Sequence, residues 1–427
     1  MAGKGTDGSA IAHISRSLKK QNGVVAHCQD DPFVCAAASD SNGMCRDVLC
    51  ALSNGGEKLY PHVFGPQSDR FAPDVKEALK EMKKHVDWAS AESRAAFIDS
   101  VREYVNAARE DESLLNPDKK AHCYQCNKRC HVHCKRRRFT LVVAGTPCLD
   151  FCPWGGQQGI TGEQMEHFTT LVAELLILSA DFVILENSEQ KTDGLHASCA
   201  EALQMEIITG IDTPKMWSIP VRRPRRYSFL WKGDRFDSDA SFEEYVMIFG
   251  RSVAMRGDAL MVSSEEEQQQ YMRYLAEAHG EHFCADKDIQ LKDILSQEEQ
   301  KRVATHLTRI PLTQGMDYGF TSIDQTLKYS TLGPDVPSLT RSSKIMVLRS
   351  NGKHQVATPA DHLVFQGEAV APMGIANDDY PCYWRALLDS SKLSPKDVKK
   401  LAGNAMHMVS VGQFLLYVLA SVKAKAV

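Results

Sequence analysis

The chain of 427 residues carries 50 Lys and Arg against 54 Asp and Glu, with 43% hydrophobic and 24% charged residues. That length supports a large core and about two domains, and the net charge of −4 excludes a protein that coats nucleic acid by bulk attraction. No apolar run approaches the ~20 residues needed to cross a bilayer, and 13 cysteines without a basic-then-apolar leader point to a reducing compartment with thiols free or metal-bound.

From the amino terminus, Gly3 and Gly5 form a glycine turn before a helical pattern over Ile11 to Lys20. Val24-Val25-Ala26-His27-Cys28 is a predicted strand, followed by Gln29-Asp30-Asp31-Pro32. Residues 1–65 are expected to hold the first alternating strand and helix units. Residues 66–138 come next. Within them, Pro73 to Arg109 is charged and amphipathic, with Val75, Leu79, Met82, Val86, Phe97 and Val101 at helical spacing.

Between His122 and Cys134 lie four cysteines and three histidines. Cys123-x-x-Cys126 gives two thiolates the local geometry for one zinc, and Cys130, His131, His133 or Cys134 would complete a tetrahedron. The expected set is Cys123, Cys126, Cys130 and Cys134. A thiol-rich surface loop and an iron–sulfur cluster are the alternatives. The run Lys135-Arg136-Arg137-Arg138 that follows suits either phosphate contact or plain solvated surface.

Phe139 to Gly145 is a predicted buried parallel strand that delivers Thr146-Pro147-Cys148 to its carboxyl end, where open α/β sheets build their ligand crevice. A small apolar core residue is the alternative for Cys148. Glu163 to Leu178 is a predicted helix, and Asp181 to Ser188 a second buried strand, giving a βαβ unit. That strand ends in Glu186-Asn187, and a carboxylate there is costly unless something pairs with it. Arg222, Arg223, Arg225, Arg226 and Lys232 form a second basic cluster, again suited to phosphate contact or to solvent. From 231 to 394 the pattern is irregular, with a polar helix over Ser264 to His279. Residues 395–427 then close the chain with a helix over Val409 to Lys423.

Pro147-Cys148 and Glu186-Asn187 resemble the nucleophile and acid motifs of the DNA cytosine-5 methyltransferase family. Arg223-Pro224-Arg225-Arg226 is similar to its arginine segment, Thr358-Pro359-Ala360-Asp361-His362 to the segment closing its target-recognition region, and Gly403-Asn404 to its C-terminal motif. The amino-terminal glycines and Asp30-Asp31 resemble its methyl-donor site. Six motifs in family order span nearly the whole chain. The resemblance implies an α/β, Rossmann-like methyltransferase sheet with helices on both faces and a smaller target-recognition domain. It places the catalytic domain at 1–230, with 66–138 inserted, recognition at 231–394, and a return to the catalytic domain at 395–427.

It further implies that Cys148 adds to ring carbon 6 of a cytosine flipped from the stack, Glu186 holds ring nitrogen 3, and Arg225 or Arg223 holds the carbonyl oxygen. S-adenosylmethionine would contact Gly3, Gly5, Asp30, Asp31, Pro147 and Asn404. The duller alternatives are a turn cap for Glu186, surface charges for the arginines and a helix N-cap for Asn404. The implied partner is DNA, with an RNA (tRNA) substrate and a catalytically silent nucleic-acid-binding protein as alternatives, and nuclear residence is the expectation. Several positions depart from the family. Only Met1 and Ala2 precede the first glycine where a strand is usual, Gln29 stands at the ribose-binding acid, and Leu149 and Val221 replace glutamines. The third donor motif, near Val63-Phe64-Gly65, has Pro66 at its acid.

Overall fold

Apolar and β-branched side chains fill most of Leu141–Gly145 and Phe182–Ser188, and extended backbone suits them because their stiff rotamers pack well on a pleated surface. The computed structural model describes residues 38–39, 43–54, 62–65, 72–87, 120–131, 139–145, 180–189, 193–253, 255–278, 288–309, 317–368 and 393–425, with isolated positions in 90–103, in 168–178 and at 280 and 370. The first elements are β1 (Ala38–Ser39), α1 (Gly43–Asn54), β2 (Val63–Phe64), α2 (Pro73–Lys84), β3 (Lys120–Cys123), β4 (Lys128–His131), β5 (Leu141–Gly145) and β6 (Phe182–Ser188). Then come α3 (Asp193–Leu203), β7 (Glu206–Asp212), β8 (Arg225–Trp231), β9 (Phe236–Ser238), α4 (Phe242–Phe249) and α5 (Glu265–Ala278). The remainder are α6 (Leu291–Ile294), α7 (Gln297–Leu307), β10 (Tyr318–Ser322), β11 (Ile345–Arg349), β12 (Gln355–Val356), α8 (Pro359–Val364), α9 (Pro395–Asn404), α10 (Met408–Ala420) and β13 (Val422–Ala424).

Two compact units emerge, each assembled from separate stretches: Met1–Asp212, Pro224–Ile248 and Val411–Val427 in the first, Thr213–Arg223 and Phe249–Ser410 in the second. Residues 213–223 and 395–410 thus belong with the second unit.

The main sheet of the first unit has the order β5-β6-β8-β7. β5 and β6 are parallel, and Gly145 pairs with Glu186 at their carboxyl ends. β8 runs antiparallel to β6 on one side and to β7 on the other. Strand alternation sends Val183 and Leu185 to one face, where they join Phe168, Leu171 and Leu175 and the α3 residues Leu195, Cys199 and Leu203. Positions 168, 171 and 175 are helical, as predicted for the stretch between the two strands. Phe182 and Phe229 take the opposite face, with ring centroids 5.9 Å apart, and Phe414 of α10 lies 5.6 Å from Tyr227 and 5.4 Å from Tyr245 of α4. Helices therefore cover both faces, the α/β architecture expected from the sequence.

The segment predicted as helix from Pro73 to Arg109 is helical in α2 and again at positions 92, 93, 96, 99, 100 and 103, with an interruption after Lys84. α2 packs Val75 onto the first face of the sheet, with Met82 and Val86 beside it, but ends at Lys84. The amide of Asp87 donates to Ser93 Oγ and that of Ser93 to Ser90 Oγ, local bonds that compete with helix continuation. A smaller sheet, β1-β2-β3-β4, completes this unit. β1 and β2 are parallel around α1, β2 meets β3 at Phe64 and Cys123, and β3 and β4 form a hairpin.

The second unit packs α5, α6 and α7 on the antiparallel sheet β10-β11-β12 through Tyr271, Ile294, Val303, Met346 and Leu348. α5 starts one residue later and ends one earlier than predicted, with exposed Glu265 and Glu266 and half-buried Glu267 in its first turn, where the helix dipole favours them. Thr358 caps α8 in a reciprocal capping box with Asp361, and Pro359 fills the first turn, where its missing N–H costs nothing. Asp361 also accepts from the amides of Val262 and Ser263. Among the described residues no helix is long and apolar enough to cross a membrane.

Candidate active site

Glu186 occupies the last turn of pleat in β6, with Tyr227 opposite it on β8. Arg225 lies two residues from Tyr227 on the same face, and its Nε reaches Glu186 Oε1 at 3.2 Å. Their side chains are 11% and 19% exposed, so a guanidinium compensates the carboxylate that the apolar strand carries to the sheet edge. Arg225 Nη1 also donates to the carbonyl of Pro224 at 2.8 Å, which fixes its own orientation. Asn187 is buried, and its Oδ1 accepts from the Ser188 amide at 2.7 Å, at the end of β6.

The other arginine of the pair has a different setting. Arg223 is 2% exposed and lies in the second unit. Its guanidinium donates to the carbonyls of Leu339 at 3.2 Å, Gly403 at 3.2 Å and Ala405 at 2.6 Å. It thus ties the segment before β8 to the end of α9. Asn404 is the last residue of α9, exposed, with its Oδ1 accepting from Arg341 Nε at 2.7 Å. Since α10 begins at Met408, Asn404 does not cap it. The remaining basic cluster also has internal partners. Lys215 and Arg222 pair with Asp335 at 2.7 and 3.7 Å, Arg226 donates to Glu189 O, and Arg235 pairs with Asp181.

Cys148 and Pro147 lie outside the described residues, as do Gly3, Gly5, Asp30, Asp31 and Cys134. In sequence Cys148 follows three residues after Gly145, the residue paired with Glu186.

A second constellation sits on the small sheet. One ligand atom from each of His62, Cys123, Cys126 and Cys130 lies within 4.8 Å of all the others. The three cysteines are members of the set predicted for zinc. His62 carries no local signal, because only the β2–β3 register brings it to residues about sixty positions later.

The chain matches no protein-family model and no curated protein sequence. Among solved structures it is similar to the Dnmt2 methyltransferase of S. pombe, at 13% identity over 96% of each chain with a TM-score of 0.49. It is also similar to the methyltransferase EhMeth of Entamoeba histolytica, at 10% identity over 91% of this chain and 98% of that one, with a TM-score of 0.40. At TM-scores below 0.5, these likenesses leave function to the chain's own residues.

Proposed function

We propose that this chain transfers a methyl group from S-adenosylmethionine to carbon 5 of cytosine in DNA. The observation that carries the proposal is the Glu186–Arg225 pair, held at 3.2 Å at the carboxyl end of β6 and in register with Gly145. The place of Cys148 in the sequence, three residues after Gly145, supports its role as the nucleophile beside that pair.

In this mechanism the Cys148 thiolate forms a bond to ring carbon 6 of a flipped cytosine, and the displaced electron pair makes carbon 5 nucleophilic. Glu186 holds ring nitrogen 3, supplying a proton or hydrogen bond as negative charge develops there. Arg225 fixes the Glu186 carboxyl group and faces the pyrimidine edge. The methyl donor, when bound, supplies an electrophilic methyl group and leaves as the neutral thioether. A base then removes the carbon 5 proton, and the returning electron pair expels the Cys148 thiolate. Asn404 and the amino-terminal residues Gly3, Gly5, Asp30 and Asp31 are the proposed donor contacts, and Arg223 supports the chain next to Asn404.

The test is incubation with labelled methyl donor and either duplex DNA or tRNA. Label in DNA, together with a 5-fluorocytosine adduct that Cys148→Ser abolishes, is the expected result. Label in tRNA alone would replace the substrate, and donor binding without transfer to either would leave a silent binding protein.

A further inference from the structure

We propose that His62, Cys123, Cys126 and Cys130 bind one zinc ion, which fastens β2 to the β3–β4 hairpin. His62 Nδ1 lies 3.7 Å from Cys123 Sγ and 3.6 Å from Cys126 Sγ. A tetrahedral ion with Zn–S near 2.3 Å and Zn–N near 2.05 Å sets its sulfur and nitrogen ligands about 3.6 Å apart. The separations are those of ligands around a single small ion.

The backbone is arranged for the same end. The amide of Cys126 donates to Cys123 Sγ at 3.4 Å, the bond a thiolate at that position would need. Asn127 then takes a positive φ of 49°, which turns the chain so that β4 starts at Lys128 and carries Cys130 back beside Cys123. His62 lies just before β2, its ring stacked on Phe64 at 6.0 Å, and Phe64 pairs with Cys123 across the sheet. Hairpin and strand therefore each contribute ligands, and neither alone holds all four.

The need for an ion follows from the size of the core. Among the described residues, the buried apolar cluster beneath these strands is Phe64, Ala121, Cys123 and Cys130, with Cys126 at its edge. Strands as short as two to four residues with so little apolar area require a staple. An odd number of cysteines leaves one thiol over in any disulfide arrangement, whereas all four groups are used by a metal. Three thiolates and one imidazole match zinc's preference for mixed sulfur and nitrogen, and four protein ligands make the site closed and structural. This inference stands apart from the methyltransferase proposal, since it uses none of the same residues.

The test is metal analysis of the purified full-length chain. About one zinc per chain is expected, lost in His62→Ala and in Cys126→Ser and retained in Cys134→Ser. Should the ligand variants fail to fold, cobalt replacement in the unaltered chain serves instead. It should give tetrahedral cobalt bands with thiolate charge transfer, bleached on adding zinc. Zinc retained in full by a folded His62→Ala, zinc lost from Cys134→Ser, iron in place of zinc, or no uptake under reducing conditions would each overturn the assignment.

Discussion

Glu186 and Arg225 are neighbours only because β6 and β8 pair in one register, with Tyr227 opposite the acid and the arginine on the diagonal. Neither side chain has full access to water, so each charge depends on the other. Arg225→Met is expected to cost about 2 kcal/mol, less than the ~3–5 kcal/mol of a fully buried broken pair because water still reaches the guanidinium. Adding Glu186→Gln should recover part of that loss, as urea unfolding of all four species would reveal; strictly additive losses would mean the pair is uncoupled. A second residue-scale effect concerns His196, whose Nδ1 lies 2.7 Å from Ser228 Oγ between α3 and β8. Burial, with a smaller contribution from Arg226, pushes its pKa down to about 4. The unfolded chain, with an ordinary histidine near 6.5, binds more protons between those values, so stability falls as pH drops from about 6.5 towards 4. The loss between pH 7.5 and pH 5 should be roughly 2 kcal/mol for this residue and smaller in His196→Asn, a slope measurable by denaturant titration at each pH. His362, also pushed down to about 4 by burial, adds a slope of the same sign that the variant keeps. Of the residues themselves, Cys123, Cys126 and Cys130 were legible because their spacing is local. Arg223 and Arg225 were not separable, since they stand two apart and only the start of β8 at Arg225 puts one in the sheet and leaves the other to backbone carbonyls.

At the scale of elements, the strands that were legible are those whose whole length is apolar. β5 and β6 follow from their runs of valine, leucine and isoleucine, and α10 from its apolar helix, which starts one residue early and gives way to β13 at Val422. β7 was harder to see because it mixes exposed and half-buried positions and closes the sheet only through long-range pairing with β8. Gly210 shows what that pairing demands. A Cβ at this position would fall 2.2 Å from the Phe242 ring of α4, so only glycine lets the helix approach the strand. Gly210→Ala is expected to destabilise by about 1–3 kcal/mol through overpacking. Phe242→Leu in the same chain should relieve most of it. Chemical denaturation of both would decide, and an alanine tolerated equally well in either background would rule the close contact out.

For the molecule as a whole, the first unit is closed by residues from the far end of the chain, which no local pattern could announce. The division between the units falls between Ser410 and Val411, inside α10. Arg223 explains the matching division near residue 224, because its three carbonyl partners hold 213–223 to residues 339–405. Beyond Val411, Phe414, Leu415 and Val418 are buried, Phe414 packs on Tyr227 and Tyr245, and β13 pairs with β9. Tyr227 and Phe229 are fully buried on that face of the sheet. Uncovering side chains of this size forfeits roughly 1.5–3 kcal/mol each, against a total stability of about 5–15 kcal/mol for a folded domain. A chain ending at Ser410 should therefore lose slow amide exchange across β6 and β8, the strands that carry Glu186 and Arg225. The same chain should bind a hydrophobic dye that the full-length protein does not. Hydrogen exchange resolved by segment is the measurement, and full protection of residues 182–188 in the shortened chain would show that the sheet holds without its carboxyl-terminal cover.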